Sequence, residues 1–184
     1  MKKRSIAKLV VLGMVTATML TGINVQAKGE KVVTAMTSID LTPELCDPVK
    51  SGPDFRLYEM IYDPLVRYGE NGEIEPALAE SWKISEDGTT YTFHLRKDVK
   101  FSDGTVFNAD NVIWNYNRWV EQEVTGNFSA KLESVTKVDD YTVEFKFAES
   151  CYTLLIEFSY PRPFRFTCES ALDEDGEFYQ EVGT

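Results

Sequence analysis

Between residues 82 and 147 apolar and polar positions alternate in runs of strand length, broken by short polar turns. Trp82 and Ile84 precede Asp87-Gly88, and Tyr91, Phe93 and Leu95 follow it. Asp-Gly between alternating hydrophobics predicts a β-hairpin, because glycine accepts the positive φ that tight hairpin turns need. Phe101 and a second turn at Asp103-Gly104 continue the pattern. The period then changes. Asn108 stands at a helix N-cap position, and Val112, Ile113, Tyr116, Trp119 and Val120 place one apolar stripe on the helix behind it, a stripe that reads as core. Val135 to Val138 and Tyr141 to Phe147 predict a second hairpin turning at Asp139-Asp140, with Val143, Phe145 and Phe147 on one face.

The flanks are less regular. Lys31 to Met36 reads as an opening strand, and a polar, proline-punctuated loop from Ser38 to Pro53 leads into a helix carrying Phe55, Leu57, Tyr58, Met60, Ile61 and Tyr62. Tyr152 to Phe158 predicts a short helix, followed by an arginine between two prolines, Arg162, and an acidic turn around Asp173 to Gly176. The whole is a mixed α/β (α+β) domain with a largely antiparallel sheet.

Residues 1–27 stand apart from this domain. Lys2, Lys3, Arg4 and Lys8 precede an apolar run from Leu9 to Ile23, and Val25-Gln26-Ala27 supplies small residues for a cut after Ala27. That is the build of a secretory leader, and the run is short for a membrane span; an uncleaved anchor is the alternative reading. Ile23 occupies the place where a lipidated precursor needs cysteine, so no lipobox is present. The expected product is the domain over 28–184, secreted to the periplasm or the extracellular space.

Removing the leader takes four of the 19 basic residues and none of the 30 acidic ones, leaving a net charge of −15 on 157 residues. Such a surface repels phosphate backbones and anionic membranes, which argues against nucleic acid as a partner. Cys46, Cys151 and Cys168 lack the close spacing of a zinc or redox site. Two readings stand for them: one bridge, Cys151 with Cys168, or three buried thiols acting as small apolar residues.

The motifs of catalysis are missing. His94 is the single histidine and alternates with Thr92 and Arg96 on the polar side of a strand. No GxSxG elbow, HExxH, P-loop or GxGxxG after a strand occurs, so the reading is a non-enzyme without a cofactor. One histidine cannot build the nitrogen-rich cage that divalent nickel favours, and no protein metal ligand is assigned. Arg162 offers something different. Flanking prolines hold the backbone extended there and restrict the guanidinium, a planar fork of donors suited to a carboxylate.

The segment from Tyr62 to Trp119, YDPLVRYGENGEIEPALAESWKISEDGTTYTFHLRKDVKFSDGTVFNADNVIWNYNRW, together with Pro161-Arg162-Pro163-Phe164-Arg165-Phe166, resembles the family 5 extracellular solute-binding proteins of ABC importers, nearest the nickel-binding branch. The resemblance implies the N-terminal subdomain of a two-lobed periplasmic-binding-protein fold, type II and cluster C-like. It implies capture of a nickel chelate or peptide-like solute and delivery to membrane permease subunits. It carries a carboxylate-pairing role onto Arg162 and a more structural one onto Arg165, with any nickel arriving inside an organic chelator. Phe128 takes the place of a cleft tryptophan in relatives.

The match has gaps. The stretch from Glu121 to Phe128 is shorter than in the family and lacks its arginine, and Leu45 to Phe55 aligns too poorly to transfer any cleft residue. Gly183-Thr184 resembles the start of a GTGP block that leads on to the rest of such receptors, so the expectation is a truncated receptor whose half-shell binds solute weakly or not at all by itself. A stand-alone secreted binding or scaffold domain is the alternative, and a secreted hydrolase a more distant one.

Overall fold

The computed structural model describes residues 42, 46–50, 55–161 and 163–184, with the backbone alone for 55–57. The leader, the opening strand over 31–36 and Arg162 lie outside the described residues. Those described fall within one compact unit, Thr37–Thr184.

The expected alternation folds into a four-stranded antiparallel sheet. Helix α1 (Phe55–Ile61) leads into a small ribbon of β1 (Val66–Tyr68) and β2 (Ile74–Pro76). Then come β3 (Ala79–Ile84), β4 (Thr90–Leu95), α2 (Ala109–Glu121), β5 (Leu132–Asp139), β6 (Thr142–Phe147) and α3 (Leu154–Ser159). The sheet order is β3-β4-β6-β5, every neighbouring pair antiparallel. The β3–β4 turn forms where Asp-Gly placed it: Gly88 has φ +70°, and Asp87 Oδ1 accepts bonds from Ser85 Oγ, the Thr89 amide and Thr89 Oγ1.

Period-two alternation puts Tyr91, Phe93 and Leu95 of β4 beside Val143, Phe145 and Phe147 of β6 on one buried face. Helix α3 closes this face. Leu154 and Phe158, four residues apart and hence on one side of the helix, are fully buried. The Phe158 ring meets those of Phe93 at 5.1 Å and Phe145 at 4.9 Å in steep, edge-on arrangements, the geometry aromatic quadrupoles favour. His94 lies on the opposite, half-exposed face, its Nδ1 3.4 Å from Thr142 Oγ1.

Asn108 caps α2 as expected. Its side chain accepts from the amides of Asp110 and Asn111, and Asn111 accepts in return from the Asn108 amide. The buried stripe of α2 differs from the expected one, however. Val112 and Trp119 are buried, but Val120 is 48 % exposed, and the inward face is completed by Asn115 and Arg118. Both polar groups are buried because partners wait for them. Asn115 bonds in both directions with the Thr167 backbone, and Arg118 Nη2 donates to Asp47 Oδ2 at 2.7 Å.

The Cys151–Cys168 bridge is a further correction, since all three thiols are free. Cys168 follows the 166–167 segment held under α2, whereas Cys151 heads α3, with its carbonyl accepting from the Tyr91 hydroxyl. The two sulfurs belong to different neighbourhoods. Burial and the adjacent Glu181 push the Cys46 thiol up to about 12.

The chain's last residues pack against α1. Gly183 passes so close to the Ile61 carbonyl that a Cβ would collide with it, and its own carbonyl accepts from the Ser102 amide.

Candidate functional site

Helix α3 and the proline-rich turn after it form one wall and the floor of an open groove of about 460 Å³. With Leu154 and Phe158 anchored in the core, Ile156, Glu157 and Tyr160 are left to line the groove. Beyond α3 the Arg165 amide donates to the Pro163 carbonyl at 2.8 Å, closing a tight turn there. Pro163 and Phe164 thereby become part of the lining. Asn127, the last residue of the 3-10 turn Val124–Asn127, and Ser129 just beyond it line the groove too.

Glu157 organises these two sides. Its Oε1 accepts from Ser129 Oγ at 2.5 Å and from Thr153 Oγ1 at 2.6 Å, and its Oε2 accepts from the Ser129 amide at 2.9 Å. Burial pushes the carboxyl's pKa up. The Ser129 and Thr153 hydroxyls and the Ser129 amide together outweigh that push, and the net effect holds Glu157 below the usual carboxylate range. The result is a fixed negative charge beside a partly apolar, aromatic-edged groove.

The residues singled out from sequence separate in space. Phe128 is buried behind the groove, stacked on Phe164 with ring centroids 3.7 Å apart and planes 13° from parallel. It acts as backing for the floor. Arg165 lies in a second, smaller pocket of about 200 Å³, lined also by Glu59, Asp63, Arg67 and Tyr68. Its Nη2 donates to the Ser159 carbonyl at 3.0 Å, while Nε and Nη1 are buried without a partner. Burial lowers this guanidinium's pKa to about 10, against the opposing pull of Glu59 and Asp63. Arg162 itself is outside the described residues, but its neighbour Pro163 is on the groove. Sequence reasoning missed Glu157, Ser129, Thr153 and Asn127, which carry no local motif.

Comparison with known proteins identifies the family. Residues 73–182, which include all of the groove's lining, match the model for bacterial extracellular solute-binding proteins, family 5. The chain belongs to this family. Among family 5 relatives, the nickel-binding periplasmic protein of Escherichia coli strain K12 is 38% identical over 120 residues, covering 60% of this chain and 22% of the relative. The dipeptide-binding protein of the same strain is 34% identical over 169 residues, covering 79% and 30% respectively. The crystal structure of NikA from Brucella suis in complex with Fe(III)-EDTA superposes with a TM-score of 0.69 at 36% identity, covering 76% of this chain and 29% of that one. The chain thus spans between a fifth and a third of the length of these family 5 proteins.

By name, both of these Escherichia coli relatives are binding proteins. Among the described residues no helix is long and apolar enough to cross a membrane. No group of three or more His, Cys, Asp or Glu side chains is placed to hold a metal ion, again among the described residues.

Proposed function

We propose that this chain is the solute-contacting part of the substrate-binding component of an ABC importer. It would capture a nickel chelate or a peptide-like solute outside the cytoplasmic membrane and present it to permease subunits. The observation that carries this reading is the position of the groove: Pro163 and Phe164, from the same Pro-Arg-Pro-Phe block that holds Arg162, line it. Arg162 would pair with a ligand carboxylate there, as a proline-restricted guanidinium is suited to do. Nickel would enter as part of a chelate, since a lone histidine, His94, cannot build the nitrogen-rich cage that the bare ion favours. Residues 1–27 would act as the secretory leader, with the mature chain starting at Lys28.

Such receptors gain affinity by closing two lobes over the solute, and a single open groove yields weak binding. The test is therefore a magnetic resonance titration of the isotope-labelled chain with millimolar glycylglycine and, separately, nickel citrate. The proposal expects amide shifts concentrated around Asn127, Ser129 and residues 153–164 with at least one of the two, lost in Arg162→Ala. Shifts that survive the substitution unchanged would remove Arg162 from the site. The absence of shifts with both solutes would remove the groove.

A further inference from the structure

Arg165 is a buried charge with hydrogens to spare, an observation independent of the groove. One bond holds its side chain, from Nη2 to the Ser159 carbonyl at 3.0 Å. The Nε hydrogen and both Nη1 hydrogens have no acceptor, although the residue is only 3 % exposed. A buried guanidinium this short of acceptors is costly, and the pocket beside it gives an acceptor room to enter from outside. That pocket holds about 200 Å³. Sites for organic ligands run to roughly 300–1,000 Å³, so the occupant that fits here is a small ion.

The charges of the lining narrow the choice. Arg67, on β1, adds a second guanidinium, and two cations together favour an anion. A cation gains nothing from the buried N–H groups. Glu59 and Asp63, however, line the same pocket and lie near enough to act on the Arg165 charge. Asp63 Oδ2 accepts from Thr184 Oγ1 at 3.2 Å, and its Oδ1 has no partner among the described residues. Carboxylates repel an anion that brings them no hydrogen. Sulfate and halides bring none near neutral pH, so they meet two repulsive groups beside two attractive ones. An oxyanion carrying its own proton presents bare oxygens to the guanidiniums and an O–H to a carboxylate, and it satisfies both kinds of lining group.

We propose that the Arg165 pocket binds a small protonated oxyanion, of the hydrogenphosphate or hydrogencarbonate type. Arg165 and Arg67 donate to its oxygens, and Asp63 or Glu59 accepts from its O–H. Ser159 ends α3 and Arg67 lies on β1, so the bound ion ties the helix to the ribbon.

The test compares ions that differ in whether they carry a proton. Sodium phosphate, sodium hydrogencarbonate and sodium sulfate are titrated separately into the isotope-labelled chain, at constant ionic strength near neutral pH, and followed by magnetic resonance. The proposal expects saturable amide shifts confined to the neighbourhood of residues 59–68, 159 and 165 with phosphate or hydrogencarbonate. Sulfate should bind about ten- to a hundredfold more weakly, the range for losing a hydrogen bond to a charged group. Asp63→Asn or Glu59→Gln should narrow that gap, because a carboxamide can donate to sulfate where the carboxylate repels it, and Arg67→Gln should weaken every ion. Equal or tighter binding of sulfate overturns the assignment, as does a gap that survives both carboxamide variants. Shifts scattered over surface lysines and arginines, an adventitious ion only, overturn the site, and so does the absence of shifts at the pocket with all three ions. The comparison between ions needs no variant, so it decides the matter even where a variant fails to fold.

Discussion

Replacing Phe158 with alanine removes the ring that seats α3 on the sheet. That ring is fully buried and lies 4.9 to 6.4 Å, centroid to centroid, from those of Phe145, Phe128, Phe93, Phe147 and Phe164. Truncating a core phenylalanine costs about 3–5 kcal/mol, through lost transfer energy and the cavity left behind. The upper part of that range applies here, because aromatic neighbours on several sides restrict collapse into the space. Domains are stable by only about 5–15 kcal/mol, so the variant would be marginal. Phe158→Leu keeps much of the volume and should cost roughly 1–2 kcal/mol. Urea unfolding followed by tryptophan fluorescence measures both, with the slope unchanged if the mechanism is local. An alanine cost below about 1 kcal/mol would show that α3 does not rest on this sheet, and the groove built on α3 would be misplaced.

Two more outcomes are expected. Asp47→Ala should destabilise by about 3–5 kcal/mol in the same assay, because it strands the buried Arg118 guanidinium, whose Nη1 already lacks a partner. Replacing both residues with apolar ones should recover most of that loss, and failure to recover would mean the pair matters for more than charge balance. Stability should also fall at both ends of the pH scale. Glu157 is held below its ordinary value of 4.5, so its contribution is present above that value and is lost as pH drops through the lower folded one. Cys46 is raised from 9.0 to about 12, so its contribution is present below 9.0 and is lost as pH climbs toward 12. Thermal melts across pH, with Glu157→Gln flattening the acid limb and Cys46→Ala the alkaline one, check the two assignments.

The sheet was legible because its information is local. Alternation in Tyr91-Phe93-Leu95 and Val143-Phe145-Phe147, a glycine at the β3–β4 turn and a capping asparagine at 108 each specify their element within a few residues. Errors arose where partners are distant in sequence. Arg118 is inward because Asp47 lies across from it, 71 residues away, and Asn115 because of Thr167, 52 residues away. No helical period encodes either pairing. The candidate site followed the same rule. The Pro-Arg-Pro-Phe block was visible as a motif, but Glu157 became a groove residue only when the fold brought Ser129, 28 residues earlier, into its reach. Phe128 and Arg165, grouped with Arg162 by resemblance, are separated by the tight reversal at Pro163, which leaves Phe164 stacked on Phe128 and Arg165 beside Asp63.

The most direct measurement is photo-crosslinking of the purified chain with a dipeptide bearing a photoreactive group, with adducts located by mass spectrometry. Binding in the groove predicts adducts on residues 127–129 and 153–164, suppressed by excess unlabelled dipeptide. Suppressible adducts on residues 59–68 around the Arg165 pocket, or labelling that excess dipeptide does not reduce, would contradict it.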